Sequence, residues 1–243
     1  MTLKIKDRDQ ADEGGINVLL YGPPKTGKSA GAASAPGAIL YLNADLPNAL
    51  RFARSRDTEG RISEVEVEGL QTLIDVGHAV KQKPTWDTVV VDPLGELYRQ
   101  LLEDLSNRSM RPSLPTYGDV GTHIERFCRM LCEAPVNAVF VAHEIPVKDE
   151  ATDSVERLPS TGTKNPALGQ KVMGMVDIVG STVMFEKDGE NVYAAQLINA
   201  KGARGGDRFD ALGAWRPLNL TEWFEIAKQG PTQDAPKEQK ETT

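Results

Sequence analysis

Eight consecutive residues carry the strongest chemical signal in the chain: Gly22-Pro23-Pro24-Lys25-Thr26-Gly27-Lys28-Ser29 fits G-x-x-x-x-G-K-[ST] at every fixed position. The two glycines let the backbone turn its N–H groups inward as a nest for phosphate oxygens. The helix that should open at Lys28 and run to Ala35 adds partial positive charge at its start. Lys28 reaches the outer phosphates as a point charge, the Ser29 hydroxyl ligates magnesium, and Ala30 is the last residue of the binding stretch. The chemistry these residues suit is binding of ATP with Mg²⁺.

Hydrolysis needs an acid at the tip of a neighbouring buried strand. Thr88-Val89-Val90-Val91-Asp92 supplies one, with Asp92 placed to hold the metal through water. The next residue is Pro93, where proteins of the AAA+ class typically place a catalytic Glu. Two other carboxylates could orient or deprotonate the attacking water: Asp45, after Tyr41-Leu42-Asn43-Ala44, and Glu96, at the start of the following helix. Asp45 is well placed if its strand neighbours the strand that feeds the loop. Glu96 is equally explained as a favourable charge in a first helical turn. His143, in Val141-Ala142-His143-Glu144, is a candidate sensor of the terminal phosphate, or a polar cap on a strand end.

These residues must be held by alternating strands and helices. Asn17 to Tyr21, Ala38 to Asn43, Thr88 to Val91 and Asn137 to Ala142 are short apolar runs, as parallel strands buried on both faces should be. Helical periodicity falls on 47–56, 70–81, 94–107 and 121–133. The second half reads as a short helix at 166–176, strands at 178–186 and 193–198 around the turn signal Asp188-Gly189, and a closing helix at 221–228. The implied fold is α/β, a mainly parallel sheet with helices on both faces and an antiparallel C-terminal extension. Residues 1–14 read as an N-terminal arm, 15–228 as the domain and 229–243 as a flexible polar tail. The stretch 145–165 reads as a long polar loop.

Composition narrows the function further. The 243 residues carry a net charge of -7, which excludes indiscriminate coating of nucleic acid by bulk charge. No apolar run approaches the roughly 18 residues of a membrane helix, and cytoplasmic residence is expected. Cys128 and Cys132 read as buried thiols, and the three histidines are too scattered for a zinc site.

On GPPKTGKS, YLNAD, TVVVD and VFVAHE, the chain resembles the RecA-like P-loop ATPases, specifically the phage-encoded single-strand annealing recombinases, AAA-domain phage nucleotide-binding proteins that keep only the ATPase core. The resemblance implies a RecA-like core, Mg²⁺-dependent ATP hydrolysis, and action on single-stranded DNA in phage recombination or replication, in the host cytoplasm. It also implies a homo-oligomer, ring or filament, with ATP at the subunit interface, and a single-strand-binding protein as a further partner. In that family the sensor strand leads into a mobile DNA-binding loop, whose place is taken here by 146–165. The turn Ala200-Lys201-Gly202-Ala203-Arg204-Gly205-Gly206-Asp207-Arg208 is similar to the basic turn that reaches a neighbour's nucleotide across the subunit interface.

Charge counting leaves several roles open. The stretch 145–165 holds three cations against four anions, so it is no simple phosphate magnet; 201–208 holds three cations against one anion. Lys201 and Arg204 could grip a neighbour's γ-phosphate or nucleic acid, or belong to a solvated hairpin. Lys164 and Lys171 are the local candidates for contacts with a nucleic-acid backbone, and Arg108 and Arg111, in 106–117, form a second candidate surface that also fits an ordinary connector. Two other readings stand beside this one: a nucleotide-gated interaction protein with little turnover, and a small-molecule P-loop kinase closing an Arg-bearing lid.

Overall fold

A computed structural model of the chain describes residues 14–82, 85–107, 109, 112–148, 153–163 and 165–230, apart from the side chains of Phe52 and Arg56. The first half runs β1 (Asn17–Gly22), α1 (Lys28–Ala32), β2 (Ile39–Asn43), α2 (Arg51–Arg56), β3 (Ile62–Glu66), α3 (Leu70–Gln82), β4 (Thr88–Asp92), α4 (Leu94–Leu105), α5 (Leu114–Cys132) and β5 (Asn137–Lys148). It continues with β6 (Val155–Ser160), α6 (Ala167–Met175), β7 (Ile178–Lys187), β8 (Glu190–Gln196), β9 (Gly206–Asp207), β10 (Trp215–Pro217) and α7 (Leu220–Gln229).

The strands form one sheet in the order β10-β8-β7-β1-β5-β4-β2-β3, with β6 on β5 and β9 on β7. The inner pairs β1/β5, β1/β7, β4/β5, β2/β4 and β2/β3 are parallel, and β5/β6, β7/β8, β7/β9 and β8/β10 are antiparallel. This is the mainly parallel α/β sheet with an antiparallel extension that the sequence implies. Alternation along each strand sorts side chains to two faces. Leu19, Leu40, Leu42, Val89, Val91 and Phe140 pack under α3, α4, α5 and α6. Val18, Leu20, Tyr41, Val90, Val139 and Val141 pack under α1, α2 and α7.

Several elements differ from the sequence reading. The supposed loop 145–165 is largely a hairpin: β5 runs on through His143 to Lys148 and pairs back with β6, His143 opposite Ser160 and Lys148 opposite Val155. Helix α5 begins at Leu114, seven residues earlier than its apolar stripe suggests, because the Ser113 side chain accepts from the Thr116 amide and caps it. Strand β3, Ile62–Glu66, has no counterpart in the sequence reading; it is an edge strand whose side chains are half-buried or exposed. Helix α1 stops at Ala32, short of Ala35. The turn at Asp188-Gly189 is confirmed, both residues at positive φ, joining β7 to β8.

Residues 1–13 of the expected arm and 231–243 of the expected tail lie outside the described residues, as do Arg108, Arg111 and Lys164. Among the described residues no helix is long and apolar enough to cross a membrane. The α1 face depends heavily on Trp223 of α7, which has no exposed surface and donates to the Pro217 carbonyl at 2.8 Å. Trp223→Ala should cost about 3–5 kcal/mol in urea unfolding followed by circular dichroism; a loss below about 1 kcal/mol would mean the face repacks without it.

Candidate nucleotide-binding site

The loop between β1 and α1 is built by glycine and by contacts from the far half of the chain. Gly27 is left-handed at φ 83°, and a Cβ there would meet the Tyr193 ring of β8 at 2.9 Å. At Gly22, φ 152°, a Cβ would meet Thr182 of β7 at 2.5 Å. The two fixed glycines are thus required by packing as well as by the turn. Lys25 also sits at positive φ, 64°, so the backbone curls as a phosphate nest demands. Thr26 fastens the curl, its hydroxyl donating to the Pro23 carbonyl at 2.8 Å and meeting the Thr182 hydroxyl at 2.6 Å. Because α1 has only five residues, the loop amides and Lys28 carry the anion site, more than a helix field.

Strand alternation delivers the remaining chemistry to one side. Asp92 follows Val90 and His143 follows Val141, on the face that packs under α1. Lys28 is only 6% exposed; its ammonium donates to the Gly22 and Pro23 carbonyls at 3.1 and 2.5 Å. Burial lowers its pKa to about 8, against the opposing pull of Asp92 and Glu144. Asp92 is buried too, which raises its pKa, while hydrogen bonds from Ser29 and Tyr41 and the charge of Lys28 act the other way. His143 is shifted down by burial and then by Lys28, so its imidazole favours the neutral form.

Pro24, Lys25, Gly27, Lys28, Ser29, Ala30, Asp45, Asp92 and His143 line one cleft of about 870 Å³. Asp45 reaches it although β2 does not neighbour β1: the order places β5 and β4 between them, and the expected adjacency is corrected to β2 beside β4. Glu96 does not line the cleft; it sits in the first turn of α4, ion-paired to Arg99 at 2.6 Å. Lys201 and Arg204 also lie away from it. Arg204 pairs with Glu156 at 2.8 Å, and its backbone N–H donates to the Tyr21 hydroxyl on the opposite face of the sheet. Lys171 pairs with Glu125 at 2.6 Å, between α6 and α5.

The structure adds residues that no spacing announces. Tyr193 and Leu218 line the cleft beside Gly27 and Gly31, and Asp57, Arg61 and Ile62 line it too. Thr182 backs the loop, and Tyr41 donates to Asp92 at 2.5 Å. Each of these contacts joins residues far apart in the chain.

The residues fit a magnesium-bound nucleoside triphosphate. A Cβ-free cradle, a buried ammonium and a hydroxyl beside a carboxylate are the donor types that phosphates and a hard cation take. Among the described residues no group of three or more His, Cys, Asp or Glu could hold a metal, so a cation here would draw most of its ligands from phosphate and water, as Mg²⁺ does.

A family profile described as an AAA domain matches residues 14–209. The chain belongs to that family. As an AAA domain it is a P-loop ATPase module, even with Pro93 directly after Asp92. None of the curated proteins matches it. Among solved structures it is similar to a KaiC-like protein from the archaeon Pyrococcus horikoshii OT3, at 14% identity and a TM-score of 0.46, over 80% of this chain and 83% of that one.

The shift at Lys28 has a measurable sign. In the unfolded chain this lysine titrates near 10.5, so the fold bears the cost of its buried charge below about pH 8 and sheds it between pH 8 and 10.5. Between pH 8 and 10 the unfolding free energy of the AAA domain should climb relative to that of Lys28→Met by up to about 1.4 kcal/mol per pH unit. Parallel curves from denaturant titrations would show that the ammonium is not desolvated.

Proposed function

We propose that this AAA domain is a Mg²⁺-dependent ATPase with a RecA-like core that works as a homo-oligomer on single-stranded DNA, in phage recombination, annealing or replication. The observation that carries the ATPase reading is the convergence of Lys28, Ser29, Asp92, Asp45 and His143 on one cleft around the glycine nest. Lys28 neutralises the outer phosphates from a site with little water, where a charge acts more strongly than in solvent. Ser29 and Asp92 would hold magnesium, which when bound offsets the charge on the phosphate oxygens. Asp45, exposed after β2 and anchored by its own amide to the Asn43 side chain, receives the proton of the attacking water.

Support for the DNA reading comes from the strand that carries His143. It continues without a break into the β5–β6 hairpin, and Arg157 on β6 donates from its amide to Gly202 at 2.6 Å in the basic turn. Tyr21, directly before the glycine loop, donates to the Arg204 carbonyl at 2.6 Å. Nucleotide site, hairpin and basic turn are therefore one connected unit, able to make DNA contact depend on nucleotide. Since the turn lies across the sheet from its own cleft, Lys201 and Arg204 serve a neighbouring subunit's ATP or the DNA.

Asp45→Asn should lower kcat at least about 100-fold while changing nucleotide affinity less than about threefold, the split expected of a base. Turnover within about twofold of wild type would remove Asp45 from the mechanism, and tight binding without turnover in wild type would favour a nucleotide-gated switch. For DNA, single-strand affinity measured with ATP should fall steadily as salt rises. No binding at low salt would overturn the DNA reading.

A further inference from the structure

The hydroxyl of Tyr41 is out of place for a core residue of β2. The ring has no exposed surface and packs with Ile39, Val90 and Val139, a setting phenylalanine would suit equally. Yet its oxygen donates to Asp92 Oδ2 at 2.5 Å, with Ser29 close by. The strand register explains the reach. Tyr41 is opposite Val90 and Asn43 opposite Asp92, so the phenol lies one pleat back and extends forward to the carboxylate at the sheet edge. It thereby meets both residues, Ser29 and Asp92, that the proposed function assigns to magnesium.

We propose that Tyr41 is a positioning residue for the divalent cation: it fixes one carboxylate oxygen of Asp92, and so the direction of the other, before metal arrives. This rests on the Mg²⁺ reading of the site. A carboxylate free to rotate must be ordered at each binding event, whereas one held by a rigid phenol is ordered already. The hydroxyl offers a single donor and no charge, so it orients Asp92 without displacing the cation. It does this from a strand that the loop motif does not include.

The test separates metal from nucleotide. Binding of a non-hydrolysable ATP analogue is measured in EDTA, and Mn²⁺ uptake by the protein–analogue complex is read from the electron paramagnetic resonance of free Mn²⁺. These are compared in wild type, Tyr41→Phe, Asp92→Asn and the double variant, with thermal melts confirming that each is folded. Tyr41→Phe should weaken Mn²⁺ about 10- to 100-fold and leave the EDTA affinity within about twofold. In the Asp92→Asn background the same change should add nothing, since Tyr41 acts through that carboxylate. Mn²⁺ affinity within about twofold of wild type, or an equal loss in both backgrounds, would overturn the positioning role while the magnesium reading stands. Wild-type protein that takes up no Mn²⁺ would overturn both.

Discussion

A lysine ammonium with almost no water of its own governs the upper edge of this sheet. Lys28 donates to two loop carbonyls near the charges of Asp92 and Glu144, and burial outweighs these partners and lowers its pKa. To keep those carbonyls aimed inward the loop must stay curled, and the curl depends on Thr182 and Tyr193 behind it. The antiparallel half of the sheet is therefore part of the site. Without β7 beside β1 the loop would lose the Thr182 contacts behind Gly22 and Thr26.

Strands β1, β2 and β4 and the stretch 138–142 of β5 are plain in the sequence because both their faces are buried and their residues run largely apolar. The glycine loop is plain because its chemistry tolerates few alternatives. By contrast, β3 spells Ile-Ser-Glu-Val-Glu at a sheet edge, where half-exposed positions need no apolar run. The β5–β6 hairpin hides behind its polar composition and its prolines. Pro146 and Pro159 are tolerated because beyond His143 the ribbon pairs only with itself and with the turn at Ala203.

The site is legible in its parts and obscure in its joints. Lys28, Ser29 and Asp92 follow from spacing and strand ends, and Asp45 reaches the cleft through a neighbour, β4, that its own sequence does not name. Glu96 shows the opposite case: a carboxylate close to Asp92 in sequence that turns to Arg99 once the helix forms. The contacts of Tyr41, Thr182 and Tyr193 link residues from opposite halves of the chain or from different strands, and local pattern carries no trace of them.

The unbroken run of β5 sets a length scale. From His143 to Lys148 an extended strand covers roughly 16 Å at about 3.3 Å per residue. That exceeds the screening length of about 8 Å at physiological salt, so a charge at Lys148 and a charge beside His143 barely feel one another. A signal between His143 and Lys148 would travel as displacement of the paired ribbon, in which a small rotation at His143 becomes a larger arc at Lys148. A ribbon of this length would turn a rotation at His143 into an arc at Lys148 that grows with the number of residues between them.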